Sequence, residues 1–244
     1  MNRTFIWGHR GAGIYSVENT IDSFRKAVEM GVDGIETDAH LSKDGHIVLF
    51  HDYFVEKDGK KIEINKLTLK QIKEIRLEEN KKIPTLGEVF DIFKSKNIKY
   101  SIDLKDNNVG FKIIRLAREY NILEKVELVG NYFYLFSKIR KIEKEAKLIY
   151  SISERHPIIE EKDLKFNKMN KLKIYGFNIR NIQAKMNFFK QIKNAGFSFY
   201  IWGVDTQFYM KRFLKMNYNG KNVDAIYTNY PDILLEFRDK IQRE

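Results

Sequence analysis

Short apolar runs alternate with longer amphipathic stretches along the whole chain. Eight runs combine β-branched and aromatic residues between turn residues, which is the pattern of buried strands. These runs are TFIWGH, DGIETDA, KYSIDLK, KVELVGN, KLIYSIS, IYGFNI, FSFYIWGV and AIYTN. The stretches between them predict helices at about 18–30, 85–96, 107–121, 132–145, 157–171, 183–195, 206–217 and 230–243. Eight strand–helix pairs in 244 residues fit an α/β fold of the closed TIM (β/α)8 type better than a doubly wound sheet.

One segment interrupts this alternation. After the second strand, LSKDGHIVLFHD carries a Lys-Asp-Gly turn and then an alternating apolar run, which predicts a hairpin. A polar stretch follows, and we predict a small insertion at about 52–83 within a single domain that spans 1–244. Because it follows the carboxyl end of a strand, the insertion is expected at the face where barrel enzymes build their sites. The alternative is a solvent-exposed excursion without function.

Composition narrows the class of protein. With 43% hydrophobic and 32% charged residues the chain is typical of a globular protein, and the lack of cysteine excludes disulfides and thiolate metal sites. The stretch MNRTFIWGHR lacks the apolar core of a signal peptide, and no window could span a bilayer. We therefore expect a cytoplasmic protein without stable membrane insertion. The net charge of +11 could attract nucleic acid, anionic membranes or phosphorylated substrates, but scattered lysines are more typical of solvated helix faces.

Polar side chains cluster at the predicted carboxyl ends of the first three strands and at the end of the hairpin. They are His9, Arg10, Glu36, Asp38, His51, Asp103 and Lys105. Residues two positions apart on a strand share a face, so the pairs on the second and third strands would both point into the mouth of a barrel. Charged groups in that place need partners or a function.

The chemistry of this set indicates phosphoryl-ester cleavage. The carboxylates Glu36, Asp38 and Asp103 would repel one another without a cation, and together they form a hard oxygen site suited to Mg²⁺ or Ca²⁺. The histidines His9 and His51 could each donate or accept a proton near neutral pH. The two cationic side chains of the set match phosphate oxygens.

Several other polar residues have a simpler interpretation. His40 and His46 lie beside the hairpin turn, where we expect them to be exposed and without a role. His156 is expected in a loop. Glu18 could be a first-turn acid favoured by the helix dipole, and Asp52 could orient the preceding histidine or cap its loop.

A family resemblance emerges from these motifs. HRG, ENT, GVDGIETDAHLSKDGHIVLFHD, IPTLGEVF, IDLK, YIWGVDT and VDAIYTNYPD resemble the glycerophosphodiester phosphodiesterases in order and spacing, from residue 8 to about residue 232. The resemblance implies a TIM-barrel enzyme that hydrolyses glycerophosphodiesters to sn-glycerol 3-phosphate and an alcohol with one divalent cation, Mg²⁺ or Ca²⁺. It also implies a role for each site residue. The general acid/base pair is His9 and His51, the metal ligands are Glu36, Asp38 and Asp103, and the substrate-binding residues are Arg10, Lys105, Trp202, Glu18 and Asn19, the last two as supports of the first loop.

The chain departs from this family pattern at two positions of the site. Asp103 stands where glutamate is usual; we expect the shorter side chain still to bind a cation, with a shifted position or an altered preference between Mg²⁺ and Ca²⁺. Asn229 stands where the closing motif commonly has aspartate, which removes a carboxylate at the end of the eighth strand.

Three alternatives compete with this interpretation. A lysophospholipase D or a sphingomyelinase-like enzyme would act on membrane lipids, and an apolar loop at the barrel mouth would favour it. A nucleic-acid-binding module would explain only the net charge, since unmetallated carboxylates repel phosphate, so we expect a small-molecule substrate and no nucleic-acid partner. A catalytically inactive barrel is disfavoured because the catalytic set is complete. The alcohol, the metal, the attacking group, the acid and base roles and the oligomeric state are left open.

Overall fold

The computed structural model describes residues 3–57, 59–152 and 158–242. Its strands are β1 (Phe5–Gly8), β2 (Gly34–Leu41), β3 (Ile47–Leu49), β4 (Phe54–Lys57), β5 (Lys60–Glu63), β6 (Lys99–Leu104), β7 (Val126–Gly130), β8 (Lys147–Ser151), β9 (Gly176–Arg180), β10 (Ser198–Trp202), β11 (Asn217–Tyr218), β12 (Lys221–Asn222) and β13 (Ala225–Thr228). Its α-helices are α1 (Ile21–Met30), α2 (Leu69–Glu74), α3 (Leu86–Phe93), α4 (Val109–Glu119), α5 (Phe133–Ile142), α6 (Glu161–Leu164), α7 (Phe166–Lys171), α8 (Met186–Asn194), α9 (Gln207–Leu214) and α10 (Pro231–Ile241).

Eight parallel strands close into a barrel. The ring runs β1-β2-β6-β7-β8-β9-β10-β13, and β13 pairs with β1 to complete it. Helices connect the successive strands, so the predicted TIM barrel is confirmed. The predicted hairpin is also present: β3 pairs antiparallel to the end of β2, outside the ring.

Two apolar layers hold the barrel. Side chains that point inward from the strands pack in its interior, where the rings of Trp7 and Tyr227 stack with centroids 5.8 Å apart. Side chains that point outward pack against the helices in a much larger core. Because successive residues of a strand point to opposite faces, a strand that is buried on both sides has a continuous apolar sequence.

The insertion after β3 packs around its own small apolar cluster. The strands β4 and β5 form an antiparallel ribbon, and α2 begins at a capping box between Thr68 and Gln71. The buried residues of this cluster are Val48, Val55, Ile64, Leu67, Ile72, Ile75 and Ile83. The segment therefore contacts the barrel as a folded unit close to the end of the hairpin that carries His51.

The structure corrects several element boundaries. The side chain of Thr20 accepts a hydrogen bond from the backbone N–H of Ser23, so α1 begins at Ile21 and Glu18 precedes the helix instead of lying in its first turn. The predicted helix at 157–171 is two short helices, α6 and α7, which meet at Lys165 with a positive φ of 44°. The predicted end of the 206–217 helix is instead part of the short ribbon β11–β12.

The expectation of exposure is wrong for His40 and correct for His46. His40 lies on β2 opposite Val48 and is only 2% exposed, with its Nδ1 3.6 Å from Asp106 Oδ2. His46 is exposed, with its Nδ1 3.4 Å from a carboxylate oxygen of Asp44. His156 lies outside the described residues. None of the described helices combines the length and the apolar character that crossing a bilayer requires.

Candidate active site

A cavity of about 570 Å³ opens at the carboxyl ends of the barrel strands. Eight of the predicted site residues line it: His9, Arg10, Glu36, Asp38, His51, Asp103, Lys105 and Trp202. Glu18 and Asn19 lie behind this lining and contact two of its members. The ring and the hairpin thus bring together side chains that are far apart in the chain.

Two carboxylates hold Arg10, which lies in the loop after β1. Its backbone N–H donates to Glu36 Oε2 at 2.9 Å, and its guanidinium donates to both carboxylate oxygens of Glu18 at 2.9 and 2.8 Å. The loop turns sharply, because Gly11 has a φ of +96° and a Cβ there would lie 2.4 Å from the Oγ of Ser23. Glu18 therefore orients the guanidinium from outside the cavity.

Asn19 performs a similar task for Asp38. It is 1% exposed and has a positive φ of 55°. Its Nδ2 donates to Asp38 Oδ2 at 2.9 Å, while its Oδ1 accepts from Thr37 Oγ1 at 2.6 Å. An asparagine is suited to this place because the amide donates and accepts at once.

The carboxylates of the cavity lie on adjacent strands, with Asp38 of β2 paired in register with Asp103 of β6. Burial and the neighbouring Asp38 raise the pKa of Glu36 well above its ordinary value. Burial would also raise the pKa of Asp38, but Lys105 and Arg10 outweigh it, and this pKa is lowered. Two carboxyl groups two residues apart therefore favour opposite protonation states.

Lys105 bridges two of these carboxylates. Its ammonium lies 2.9 Å from Asp38 Oδ1 and 2.7 Å from Asp103 Oδ2. Burial lowers the pKa of Lys105, but Asp103 and Asp38 outweigh that effect and raise it, so the side chain is charged.

The carboxylate oxygens of the cavity are the type of ligand atom that a hard divalent cation binds. Three carboxylates from two neighbouring strands face one cavity, and oxygen ligands are those that Mg²⁺ and Ca²⁺ prefer. Burial and the neighbouring Asp38 disfavour the ionised form of Glu36, and a bound cation would favour that form. In the part of the chain that the structure describes, however, no three His, Asp or Glu side chains lie together as a ready metal cluster. Lys105 lies between two of the carboxylates, Asp38 and Asp103. The metal site stays a prediction.

His9 is held in one orientation by a chain of hydrogen bonds that the sequence analysis missed. Asn229 donates from its Nδ2 to Asp205 Oδ2 at 2.9 Å and from its backbone N–H to Asp205 Oδ1 at 2.8 Å. A carboxylate only accepts, so the amide oxygen of Asn229 faces His9, where it lies 2.8 Å from Nδ1. An oxygen at that distance requires a proton on Nδ1, which leaves Nε2 of the neutral ring free to accept.

In the sequence, the closing motif indicates this chain of contacts, because Asn229 departs there from the family pattern. The departure does not empty the site of negative charge, since Asp205, from the loop after β10, supplies a carboxylate to Asn229. Burial and the adjacent Arg10 lower the pKa of His9 from its ordinary 6.5. The ring is therefore neutral near pH 7.

His51 is held differently. Its Nδ1 lies 2.7 Å from Asp52 Oδ1, and its side chain is 38% exposed. Of the two interpretations of Asp52, the structure supports the one in which it orients the histidine. Both histidines of the cavity thus have Nδ1 engaged, one by a neutral amide and the other by a carboxylate.

The remaining lining includes aromatic, polar and aliphatic residues. Trp202, the last residue of β10, forms part of the wall as expected, and the guanidinium of Arg180 lies 5.4 Å from the centre of its ring. The sequence analysis did not single out Tyr53, Tyr132 and Asn178, which also line the cavity. They come from the insertion, from the loop after β7 and from β9, and single tyrosines or asparagines carry no spacing signal.

Comparison with known proteins identifies the family. The family model described as the glycerophosphoryl diester phosphodiesterase family matches residues 9–233. The chain belongs to this family. This membership confirms the resemblance read from the motifs and the predicted enzyme class, a glycerophosphodiester phosphodiesterase.

Individual relatives of this phosphodiesterase agree with that assignment. A glycerophosphodiester phosphodiesterase of Caldanaerobacter subterraneus subsp. tengcongensis is 29% identical, over 96% of this chain and 97% of its own. A human lysophospholipase D is 28% identical over 59% of this chain and 50% of its own. The solved structure of an Oleispira antarctica phosphodiesterase, in complex with the product sn-glycerol-3-phosphate, shares the fold with a TM-score of 0.84 at 18% identity, over 97% of each chain.

Proposed function

We propose that this phosphodiesterase hydrolyses glycerophosphodiesters to sn-glycerol 3-phosphate and an alcohol, with His9 and His51 as the proton-transfer pair. The observation that carries the proposal is the shared cavity of two oriented imidazoles, two cations and three carboxylates. Arg10 and Lys105 supply fixed positive charge for the phosphate oxygens, which a phosphodiester requires at the point where it is cleaved.

The surroundings of the two histidines support different roles for them. His9 is neutral because its pKa is lowered, and its Nδ1 proton is held by Asn229, so its Nε2 is the base that takes the proton of the attacking hydroxyl. His51 is the acid that protonates the leaving alkoxide. The carboxylate of Asp52, 2.7 Å from Nδ1, is the kind of partner that stabilises an imidazolium.

Glu36, Asp38 and Asp103 would hold the divalent cation. When bound, Mg²⁺ or Ca²⁺ supplies positive charge beside the phosphoryl group and favours ionisation of the attacking hydroxyl. With the cation bound, Asp38 and Asp103 would no longer need Lys105 as their counter-charge. Its ammonium would then be available to the substrate.

Hydrolysis of two soluble diesters tests the proposal. Release of glycerol 3-phosphate is measured from glycerophosphoethanolamine and glycerophosphocholine with Mg²⁺, with Ca²⁺ and with EDTA. His9→Ala and His51→Ala are each expected to lose at least about 100-fold in kcat, since general acid/base assistance contributes about 10²–10⁴-fold. His46→Ala is the matched control, because this exposed histidine lies outside the cavity. Activity within about tenfold of normal in either active-site variant would refute the pair.

A lipid substrate is the second candidate. Large apolar side chains are exposed on the connections around the cavity, among them Tyr134 and Phe208, which are 70% and 69% exposed. The same assay with a lysophospholipid distinguishes the candidates. Faster cleavage of the lysophospholipid than of either soluble diester would make the lipid the preferred substrate.

A further inference from the structure

The net positive charge of the chain arises almost entirely in its second part, which contains fewer acidic residues. Residues 1–130 contain 22 basic and 21 acidic residues, a net charge of +1. Residues 131–244 contain 22 basic and 12 acidic residues, a net charge of +10. This second part builds the helices from α5 to α10, so one side of the barrel carries the excess.

The same side of the barrel exposes apolar side chains at its mouth. Tyr134, Ile158, Ile182 and Phe208 follow β7, β8, β9 and β10, which are neighbours in the ring. They are 70%, 69%, 58% and 69% exposed. Because the carboxyl ends of parallel strands lie at one end of a barrel, these four residues, which we call the apolar arc, line one continuous part of the rim.

Three of the four connections that carry the apolar arc are poor in acidic residues. The first turns of α5, α8 and α9 contain no acidic residue, although acids there would complement the helix dipole, whereas α6, which follows Ile158, has Glu161 and Asp163 in its first turn. The sequence from 181 to 223 contains a single acid, Asp205, which is engaged with Asn229.

Basic residues follow three of the four apolar positions along the chain. The ammonium of Lys138 lies 4.2 Å from the centre of the Tyr134 ring. Lys185 precedes α8 and follows Ile182 by three positions, and Lys211 follows Phe208 by three positions, with its ammonium 4.6 Å from the centre of the Phe237 ring. Exposed apolar residues with basic neighbours are the composition of surfaces that bind the interface of an anionic membrane.

We propose that the apolar arc and its basic neighbours dock the mouth of the barrel on an anionic lipid surface. Four side chains on four separate connections can touch a flat surface together, with the lysines facing the lipid phosphates. A nucleic acid is disfavoured, since the aliphatic Ile158 and Ile182 offer neither stacking nor hydrogen bonds to bases. The surface lies outside the catalytic cavity, so docking does not depend on the proposed reaction.

Vesicle co-sedimentation of the full chain tests this docking. Vesicles of phosphatidylcholine alone and with added phosphatidylglycerol are compared at low and at physiological salt. Binding is expected only with phosphatidylglycerol, and it should weaken as salt rises. The double variant Ile182→Ser/Phe208→Ser is expected to weaken binding at least about tenfold, because two apolar side chains no longer enter the interface.

The matched control is Ile142→Ser. Ile142 is 60% exposed and ends α5, the helix that begins beside Tyr134, so it lies at the opposite end of the barrel. This variant should bind vesicles like the unaltered protein. Both variants should keep the thermal midpoint and the rate on glycerophosphoethanolamine, which separates docking from folding and from catalysis.

Three results would overturn the docking proposal. One is the absence of binding to phosphatidylglycerol vesicles at low salt. Another is equal binding by the double variant and the unaltered protein, or equal loss in Ile142→Ser. The third is retention on single-stranded DNA that exceeds vesicle binding and falls in the double variant, which would identify the arc as a nucleic-acid surface.

Discussion

Replacement of Asn229 by alanine tests how the neutral form of His9 is fixed. The change removes the oxygen that lies 2.8 Å from His9 Nδ1 and the amide that lies 2.9 Å from Asp205. Without that acceptor the proton can move to Nε2, and the ring then presents a donor where the reaction needs a base. Loss of a residue that orients a functional histidine costs about 10- to 100-fold, which corresponds to about 1.4–2.7 kcal/mol in the barrier.

Steady-state kinetics on glycerophosphoethanolamine measure this loss. We expect kcat to fall by that factor and KM to change little, because Asn229 does not line the cavity. Nitrogen NMR of the labelled imidazole should show protonated Nδ1 in the unaltered protein and a mixture of tautomers in the variant. A kcat within threefold of normal, or a loss confined to KM, would refute the orienting role.

Asn229→Asp is the matched variant. It keeps an acceptor for Nδ1, but it places a second carboxylate beside Asp205 and a negative charge beside the imidazole. That charge raises the pKa of His9, whereas burial and Arg10 lower it in the unaltered protein. Since the base must be neutral, the acidic limb of kcat/KM should lie below pH 6.5 in the unaltered protein and move to higher pH in the variant. An unchanged limb would mean that another group sets it.

Three further predictions concern stability and metal binding. Gly13→Ala should lower the free energy of unfolding by about 1–3 kcal/mol and reduce kcat, because the new Cβ would lie 2.3 Å from the backbone oxygen of Asn229. Gly59 has a similar φ but open space around it, so Gly59→Ala should leave kcat unchanged. Unfolding in urea and steady-state kinetics check both variants. Asp33→Ala should cost about 3–5 kcal/mol in the same urea experiment, since it removes the carboxylate that contacts the buried guanidinium of Arg238 and leaves it with the exposed Asp239, whose Oδ1 lies 3.8 Å from Nε. A cost below about 1 kcal/mol would contradict this. Glu36→Gln should fold normally, because burial raises the pKa of Glu36 and so already favours its neutral form, which glutamine resembles. The variant should lose the rise in thermal midpoint that Ca²⁺ or Mg²⁺ is expected to give the unaltered protein. An equal rise in both proteins would show that Glu36 is not a metal ligand.

Local spacing was sufficient to predict the barrel and the charged residues of the cavity lining. The eight alternating units follow from periodicity, since strands and helices each repeat over a few residues. Glu36 and Asp38, or Asp103 and Lys105, share a face because side chains two apart in a strand point the same way. The order of these pairs along the chain also identified the family. In each case the deciding relation lies within about one element of sequence.

The tertiary structure alone decided the relations between distant segments. His9 and Asn229 are 220 positions apart, and they meet only because β13 pairs with β1 to close the ring. Asp205 reaches Asn229 from the neighbouring connection, and its carboxylate determines which end of the amide faces the histidine. The ring of His40 is buried where β2 pairs with β3, and Tyr53 of the insertion packs against it with centroids 5.3 Å apart. Chain closure and the packing of an insertion are global events, so no local pattern of residues encodes them.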